Sequence, residues 1–435
     1  MLAIRAIKKD RGRRGRVTLM EKQKWGFKEN HELHAAAALT VRNILQAIIR
    51  NIDETRTEKP MIHLGHGDPS VYPCFQTSSV VEDALVEAIR SAKYNCYAPG
   101  VGISPARRAV AEHLSKHLPY KLKTDDVFLT VGANHAIEVL IKVLARPGAN
   151  ILFPRPNYSL YEAQSRCNLL EVRHFDLLPE KGWEVDLDGV KALADDKTVA
   201  IVLINPGNPC GNVFTFNHMQ KIAETARQLG ILVIADEVYA YQVFGENPFI
   251  PMGVFGDIAP VVTLGTLSKR WIVPGWRFGW IAITDPTGTL HKTGISGSIK
   301  SCLELTADPP TVIQAAVPHI MENTPDSFFL NINKLLKEAA DMFYERIKEI
   351  PLVTCPHKPE GSMFAMVKIN ISAFDDVVDD TDFCMKLARE EWMILFPGYA
   401  VGLKNWVRVS FAAEPEVLDD AIGRMKAFCL RHAKH

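Results

Sequence analysis

The sequence has few of the features that mark a secreted, metal-binding or membrane-spanning protein. Its eight cysteines are scattered and form no Cys-x-x-Cys pair, which argues against a disulfide framework and against a zinc ribbon. No apolar run is long enough to cross a bilayer. Fifty basic and fifty acidic residues cancel, so the net charge predicts no affinity for nucleic acid. We therefore expect a cytoplasmic chain with no metal, no nucleic-acid partner and no membrane partner.

The first residues of the chain differ in charge from the rest. Residues 1–19 hold seven lysines and arginines against one acidic residue, Asp10. An organelle transit peptide is also basic and poor in acidic residues, but it is rich in serine, and this segment contains none. We interpret residues 1–24 as a disordered basic tail, and organelle targeting is the alternative.

Short apolar runs alternate with helical segments through the middle of the chain. This alternation predicts an α/β fold whose mostly parallel sheet is buried on both faces. In such sheets, ligands bind at the carboxyl ends of the strands. The predicted strands lie at 127–131, 150–153, 199–204, 231–235, 261–265 and 279–283, with predicted helices at 135–146 and 217–229 between them.

The pattern divides the chain after the tail into three parts. A single amphipathic helix is predicted over 35–52, inside an N-terminal helix and arm at 25–70 that we expect to pack with the last domain. A large domain at 71–314 contains the alternating pattern. A smaller α+β domain at 315–435 begins with a long helix near 327–349.

One lysine stands in a hydroxyl-rich turn that follows a predicted strand. Lys269 lies among apolar aromatic residues, eight positions before Arg277. Such surroundings penalise the charged ammonium, so we expect its pKa to fall and free amine to become available. An amine of this kind forms a Schiff base with an aldehyde cofactor, most commonly pyridoxal phosphate. The guanidinium of Arg277 suits the cofactor's phosphate, with which it can form paired hydrogen bonds. For this segment taken alone, however, the simpler explanation of Lys269 is an ordinary surface lysine.

Two earlier strand ends add groups that suit the same cofactor. Gly132-Ala133-Asn134 opens a predicted helix, whose free N–H groups form a natural phosphate site. Asn208 lies in a turn with two prolines and two glycines, which restrict where its amide points, although a plain loop explains this turn equally well. Tyr158 offers a flat ring for stacking.

The strand ending at residue 235 is followed by a carboxylate, Asp236. A carboxylate at a buried strand end needs a partner, and a protonated pyridine nitrogen is one. Tyr239 lies about one helical turn further and is placed to reach the cofactor's ring oxygen. A helix N-cap role for Asp236 is the alternative. Gly67, after an earlier strand, allows the backbone to approach a ligand closely.

Together these segments resemble the class I/II aminotransferases of fold type I. More narrowly they resemble the tyrosine aminotransferase group of plants, with nicotianamine aminotransferases and related carbon–sulfur lyases. The resemblance covers about residues 25–433 and is carried by NPGNPCG at 205–211, ADEVY at 235–239 and SKRWIVPGWRFGW at 268–280. It implies pyridoxal 5'-phosphate, a large domain with a mostly parallel seven-stranded sheet, and a homodimer with shared active sites.

The resemblance also assigns a role to individual residues. The catalytic group contains the Schiff-base lysine, the partner of the ring nitrogen and a ligand of the ring oxygen: Lys269, Asp236 and Tyr239. The other cofactor contacts that it implies are Gly132, Ala133, Asn134 and Arg277 at the phosphate, Thr266 and Ser268 in the turn that carries Lys269, Asn208 at the ring oxygen, Tyr158 stacked on the ring, and Tyr97 reaching the neighbouring subunit's phosphate. Arg408 matches the residue that binds the substrate α-carboxylate, beside Gly67 and Asn208.

One pair departs from the family pattern. Asn134-His135 stands where members usually carry a small hydroxyl residue and then glutamine. The backbone N–H donors survive this change, but a hydroxyl contact to the phosphate is lost or replaced by an amide.

The resemblance implies amino transfer from an amino acid to a 2-oxo acid such as 2-oxoglutarate. Members selective for acidic substrates commonly use a second arginine, and this chain has none between Arg277 and Arg346. An acidic side chain on the donor would then have no arginine to pair with, and Lys300 in this segment cannot form the paired hydrogen bonds of an arginine. A neutral, aromatic donor such as tyrosine is therefore expected. The alternatives are a carbon–sulfur lyase, a nicotianamine aminotransferase and a cofactor-binding regulator without activity.

Overall fold

The computed structural model describes residues 26–52 and 59–434, so the predicted basic tail lies outside the described residues. The strands of this part of the chain are β1 Ile62–His63, β2 Val127–Thr130, β3 Asn150–Arg155, β4 Glu171–Leu178, β5 Glu184–Val185, β6 Thr198–Ile204, β7 Leu232–Asp236, β8 Val261–Thr266, β9 Gly279–Ile283, β10 Val353–Thr354, β11 Phe364–Ile369, β12 Met393–Ile394, β13 Phe396–Pro397 and β14 Trp406–Ser410. The helices are α1 His31–Ala38, α2 Val41–Ile49, α3 Ser79–Arg90, α4 Ser104–Ser115, α5 Gly132–Leu144, α6 Leu160–Cys167, α7 Leu187–Leu193, α8 Phe216–Leu229, α9 Leu267–Arg270, α10 Thr289–Lys292, α11 Ile295–Glu304, α12 Thr311–Asn323, α13 Asp326–Ile347, α14 Asp380–Glu391 and α15 Pro415–Arg431.

The large sheet has the strand order β2-β9-β8-β7-β6-β3-β4-β5. Neighbours from β8 through β4 run parallel, β9 runs antiparallel to both β2 and β8, and β5 is antiparallel to β4. The expected large, mostly parallel sheet is confirmed. The two-residue strand β5 adds an eighth member to the seven strands that were expected.

Both faces of this sheet are covered by helices. In β2 and β9, Phe128 and Ile281 belong to the hydrophobic cluster that includes α5. Their neighbours Leu129 and Trp280 belong to the cluster on the other face, with residues of α4 and α12. Alternate residues of a strand point to opposite faces, so nearly continuous apolar strands are the expected consequence of burial on both sides.

A second, antiparallel sheet has the order β10-β11-β14-β13, and α13 and α15 pack together beside it. The strand β1 of the N-terminal arm pairs in parallel with β12, and α2 contacts α14, so the arm lies with the C-terminal part of the chain. The boundaries at residues 70 and 314 stay a prediction. No helix among the described residues is both long and apolar enough to cross a membrane.

The single helix predicted over 35–52 is wrong, because the chain forms two helices there. The break lies at Leu39 and Thr40, and the Thr40 hydroxyl accepts a hydrogen bond from the Asn43 N–H at 3.4 Å. A threonine side chain that caps a new helix satisfies an N–H group that an uninterrupted helix would otherwise bond through its backbone. The helices predicted near residues 135, 217 and 327 are confirmed to within a few residues.

Two glycines give opposite expectations for stability. Gly265 in β8 lies opposite Trp280 in β9, and a methyl group at Gly265 would overlap the indole ring. We expect Gly265→Ala to lower the free energy of unfolding by about 1–3 kcal/mol through overpacking. Gly423→Ala is the matched control, since Gly423 lies in α15 with open space around it. The control should raise stability by about 0.5–1 kcal/mol. Thermal unfolding measures both, and equal melting temperatures would contradict the packing described here.

Candidate active site

The predicted site residues gather where strands of the large sheet end and the second sheet approaches. Asp236 is the last residue of β7, and Lys269 follows β8 within α9. Arg408 belongs to β14 in the second sheet, and its Nη1 donates a hydrogen bond to Asn208 Oδ1 at 3.0 Å. Gly67 follows β1 and accepts a hydrogen bond through its carbonyl oxygen from Lys269 Nζ. The site therefore contains groups from both sheets and from the N-terminal arm.

Lys269 is positioned by the hydroxyl-rich turn before it. The Thr266 hydroxyl accepts a hydrogen bond from the Ser268 N–H at 3.1 Å and lies 2.9 Å from the Ser268 hydroxyl, so it caps the short helix α9. The ammonium lies 5.8 Å from the centre of the Tyr239 ring.

The pKa of Lys269 falls, as its surroundings in the sequence predict. Burial lowers this pKa to about 8; Asp68 opposes the shift, and Arg408 and Arg277 add to it. Roughly a tenth of the lysine is therefore uncharged amine at pH 7. This amine is available as a nucleophile and as a base.

Asp236 is a buried carboxylate that forms no ion pair within the part of the chain described here. Burial raises its pKa to about 6, while hydrogen bonds from the Tyr161 hydroxyl at 2.9 Å and from the Val238 N–H at 3.4 Å favour the ionised form. Tyr161 was missed in the sequence, where only its position three residues after Tyr158 connects it to the site. A carboxylate in this state suits a protonated nitrogen base as its partner.

Arg408 is a buried guanidinium with capacity left for a ligand. It is 2% exposed and lies between the rings of Phe364 and Phe396, at 4.4 and 4.5 Å from their centres. Its Nη2 donates to the Gly65 carbonyl oxygen at 2.8 Å, but its Nε has no hydrogen-bond partner among the described residues. Burial lowers its pKa to about 10. No described carboxylate pairs with this cation, so an anionic ligand such as a carboxylate fits.

Arg277 lies beside the N-terminus of α5. It adopts a left-handed backbone conformation with φ of 56°, and its guanidinium donates to the carbonyl oxygens of Pro274 at 2.9 Å and Val131 at 3.4 Å. A methyl group on Gly132 would overlap this guanidinium. The N–H groups at the start of a 13-residue helix and a cation without a described carboxylate partner thus converge, which suits a phosphate.

The Asn134-His135 pair takes the place of a hydroxyl residue and a glutamine without disturbing the helix start. Asn134 is exposed, and its Oδ1 accepts a hydrogen bond from the Tyr158 hydroxyl at 3.3 Å. His135 Nδ1 accepts from the Val131 N–H at 3.1 Å, which leaves the ring proton on Nε2 to donate to the Thr306 hydroxyl at 3.0 Å. Burial lowers the pKa of His135, which favours this neutral form. The histidine therefore ties the turn before α5 to the segment after α11.

Of the other predicted residues, Tyr239 and Gly67 lie against the Phe364 ring, whereas Tyr97 lies on the surface. Tyr239 is buried, stands edge-on to Phe364 with ring centres 6.0 Å apart, and forms no hydrogen bond through its hydroxyl to the described residues. Gly67 also packs against the Phe364 ring, which a methyl group at Gly67 would overlap. Tyr97 is 99% exposed, so the single chain does not bring it into its own site.

These residues fit pyridoxal phosphate on observations of the structure itself. A buried carboxylate without a cation, a lysine with a lowered pKa, and a helix N-terminus beside an arginine match the ring nitrogen, the aldehyde and the phosphate. No group of three or more histidine, cysteine, aspartate or glutamate side chains among the described residues is arranged to hold a metal ion.

A family model, curated relatives and solved structures all match this chain over most of its length. The family model "Aminotransferase class I and II" matches residues 59–425. Nicotianamine aminotransferase 1 of Oryza sativa subsp. japonica is 55% identical over 400 residues, which cover 92% of this chain and 81% of that protein. S-alkyl-thiohydroximate lyase SUR1 of Arabidopsis thaliana is 51% identical over 410 residues, 94% of this chain and 88% of that one. The structure of tyrosine aminotransferase from Leishmania infantum has a TM-score of 0.85 at 29% identity, covering 95% of this chain and all of that chain.

The family model covers most of the chain, and the plant relatives cover more than nine tenths of it. Solved structures of lower sequence identity share the same fold, among them an alanine aminotransferase from Pyrococcus furiosus with a TM-score of 0.85 at 25% identity. The chain therefore belongs to the class I and II aminotransferase family, and it is a pyridoxal-phosphate-dependent aminotransferase of plant type.

Proposed function

We propose that this aminotransferase moves the amino group of a neutral, aromatic amino acid such as tyrosine to a 2-oxo acid such as 2-oxoglutarate. The observation that carries the proposal is Arg408, a buried arginine at the meeting point of the two sheets whose Nε has no hydrogen-bond partner among the described residues. Residues 299–308, where enzymes for acidic substrates commonly place a second arginine, contain none. The one lysine of this segment, Lys300, is exposed on α11.

The chain's own groups divide the chemistry among them. Bound pyridoxal phosphate supplies an aldehyde and a ring that takes up electrons when the donor loses its α-proton. Lys269 in its free-amine form is the base that moves this proton. Asp236 pairs with the ring nitrogen, and Arg408 holds the α-carboxylate through paired hydrogen bonds. Asn208, already hydrogen-bonded to Arg408, would hold the cofactor's ring oxygen through its side-chain amide.

The rest of the cofactor site is proposed on the same grounds. Tyr158 stacks on the ring and Tyr239 donates its unpartnered hydroxyl to the ring oxygen. The phosphate takes the N–H groups of 132–134, the Ser268 hydroxyl and Arg277. The Thr266 hydroxyl supports this turn instead, because it donates to the Phe278 carbonyl oxygen at 2.7 Å. We infer a homodimer in which Tyr97, which is exposed on the single chain, completes the neighbouring subunit's phosphate site.

The names of three relatives favour alternatives within the same chemistry. The Oryza protein is named nicotianamine aminotransferase, and two Arabidopsis relatives are named S-alkyl-thiohydroximate lyase and cystine lyase. Elimination and amino transfer begin with removal of the same α-proton. They differ in whether the donor carries a leaving group on its β-carbon. A non-catalytic regulator has no such support.

The donor preference is measured with tyrosine, phenylalanine, methionine, aspartate and nicotianamine, each with 2-oxoglutarate. We expect kcat/KM for tyrosine to exceed that for aspartate by about a hundredfold or more, because an unpaired buried carboxylate costs several kcal/mol, at about 1.4 kcal/mol for each factor of ten. Lys269→Ala should show no turnover, while Gly423→Ala, far from this chemistry, should keep the wild-type rate. A preference for aspartate would overturn the proposed substrate class, and a preference for nicotianamine would replace tyrosine as the donor.

The lyase alternative has its own test. The protein is incubated with a cysteine S-conjugate and no 2-oxo acid, and free thiol and pyruvate are measured. Our proposal predicts release at less than about a hundredth of the rate of tyrosine amino transfer, a difference of about 2.7 kcal/mol in barrier. Release at a comparable rate, abolished in Lys269→Ala, would identify a carbon–sulfur lyase.

A further inference from the structure

Asp236 lies in surroundings that work against its ionised form. Its side chain is buried, and the ionisable groups that face it from neighbouring elements are Tyr158, Tyr161, Glu237 and Tyr239. None of them is a cation, and burial raises the pKa of Glu237 to about 8, so this neighbour is mostly neutral at pH 7. With a pKa raised to about 6 in the chain alone, Asp236 depends on hydrogen bonds to stay a carboxylate.

Tyr161 supplies the shorter of the two hydrogen bonds that Asp236 receives. It lies in α6, is 1% exposed, and its hydroxyl oxygen is 2.9 Å from Asp236 Oδ2. Its ring packs on Phe153 of β3 with ring centres 5.5 Å apart, so the hydroxyl is held in place by the core. Burial and the neighbouring carboxylate raise the pKa of Tyr161 well above its ordinary value, so the hydroxyl remains a donor throughout the working pH range.

We propose that Tyr161 is a positioning residue that keeps Asp236 ionised and fixes the orientation of its carboxylate toward the cofactor's ring nitrogen. The inference rests on the proposed pairing of Asp236 with that nitrogen. Nothing in the pattern of the sequence assigns Tyr161 a role, and its contribution passes entirely through one buried hydrogen bond.

The Tyr161 hydrogen bond matters because Asp236 and the ring nitrogen share a single proton. Either Asp236 is a carboxylate and the ring nitrogen carries the proton, or Asp236 is a neutral acid and the ring nitrogen is free. Burial favours the neutral pair, whereas a hydrogen bond to a charged acceptor favours the ionic pair. Such a bond shifts a carboxyl pKa by about one to two units, or about tenfold to a hundredfold in the ratio of the two forms. Without the hydroxyl, the proton moves from the ring nitrogen to the carboxyl oxygen.

The test uses holoenzyme reconstituted with pyridoxal phosphate that carries nitrogen-15 in its ring. The nitrogen chemical shift reports directly whether the ring is protonated, independently of turnover. In the wild type we expect a protonated ring at neutral pH. In Tyr161→Phe, which keeps the aromatic ring and removes one oxygen, we expect the signal to move toward the unprotonated value. We expect kcat for the amino donor to fall about tenfold or more, with KM changed by less than about threefold, since the carboxylate-binding Arg408 is untouched.

Tyr120→Phe is the matched control, because its partly buried hydroxyl donates to the Gly253 carbonyl oxygen at 2.6 Å and not to Asp236. It should leave the ring-nitrogen signal unchanged. In a double-mutant cycle, Tyr161→Phe should lower kcat by less than about twofold in the Asp236→Asn background, where no ionisable acceptor remains. An equal loss in both backgrounds, or a protonated ring in Tyr161→Phe, would overturn the positioning role.

Two further results keep this inference separate from the proposed function. An unprotonated ring in the wild type would refute the pairing of Asp236 itself, and with it this inference. If Tyr161→Phe fails to fold, a 3,5-difluorotyrosine at position 161 replaces it, because its more acidic hydroxyl is the stronger donor. The acid limb of the kcat–pH profile should then shift to lower pH, since a stronger hydrogen bond lowers the pKa of Asp236. An acid limb that stays in place would contradict the proposal.

Discussion

The site depends on charged groups that the fold encloses without forming ion pairs for them among the described residues. Asp236 and Arg408 are buried and Lys269 is partly buried, and burial shifts the pKa of each toward the neutral form. An isolated ion in such a place destabilises the folded chain by several kcal/mol unless hydrogen bonds or a ligand compensate. Here hydrogen bonds to Gly67, Tyr161 and Asn208 compensate part of this cost. Binding of the cofactor and the substrate would compensate the rest. The same arrangement that opposes folding therefore favours binding of the cofactor and the substrate.

Close backbone packing lets these groups meet. Gly67 lies against the Phe364 ring, Gly132 against the Arg277 guanidinium and Gly265 against the Trp280 indole, each too close for an added methyl group. The glycines stand at or next to the strand ends from which the site is built. A site on strand ends and helix starts is held more rigidly than a site on long loops, and this rigidity favours reactions that depend on orientation.

The sequence predicts the parts of this site that depend on local pattern. Lys269 and Asp236 follow buried strands, so their meeting at one edge of a parallel sheet is a consequence of topology. Arg408 required the family resemblance, because it contacts Asn208 across 200 positions of the chain. Tyr161 was missed because only tertiary packing brings α6 to the end of β7. The break at Thr40 was missed for a different reason: the apolar pattern of one helix continues through it, and a single capping side chain decides the outcome.

The fate of the amino group tests the central claim most directly. Tyrosine labelled with nitrogen-15 is incubated with the holoenzyme and 2-oxoglutarate, and the glutamate and ammonium produced are analysed by mass spectrometry. The account predicts that the label appears in glutamate, in an amount equal to the oxo acid formed from tyrosine, with none above background in ammonium. Label released as ammonium, or no label transferred at all by a protein that holds its cofactor, would contradict it.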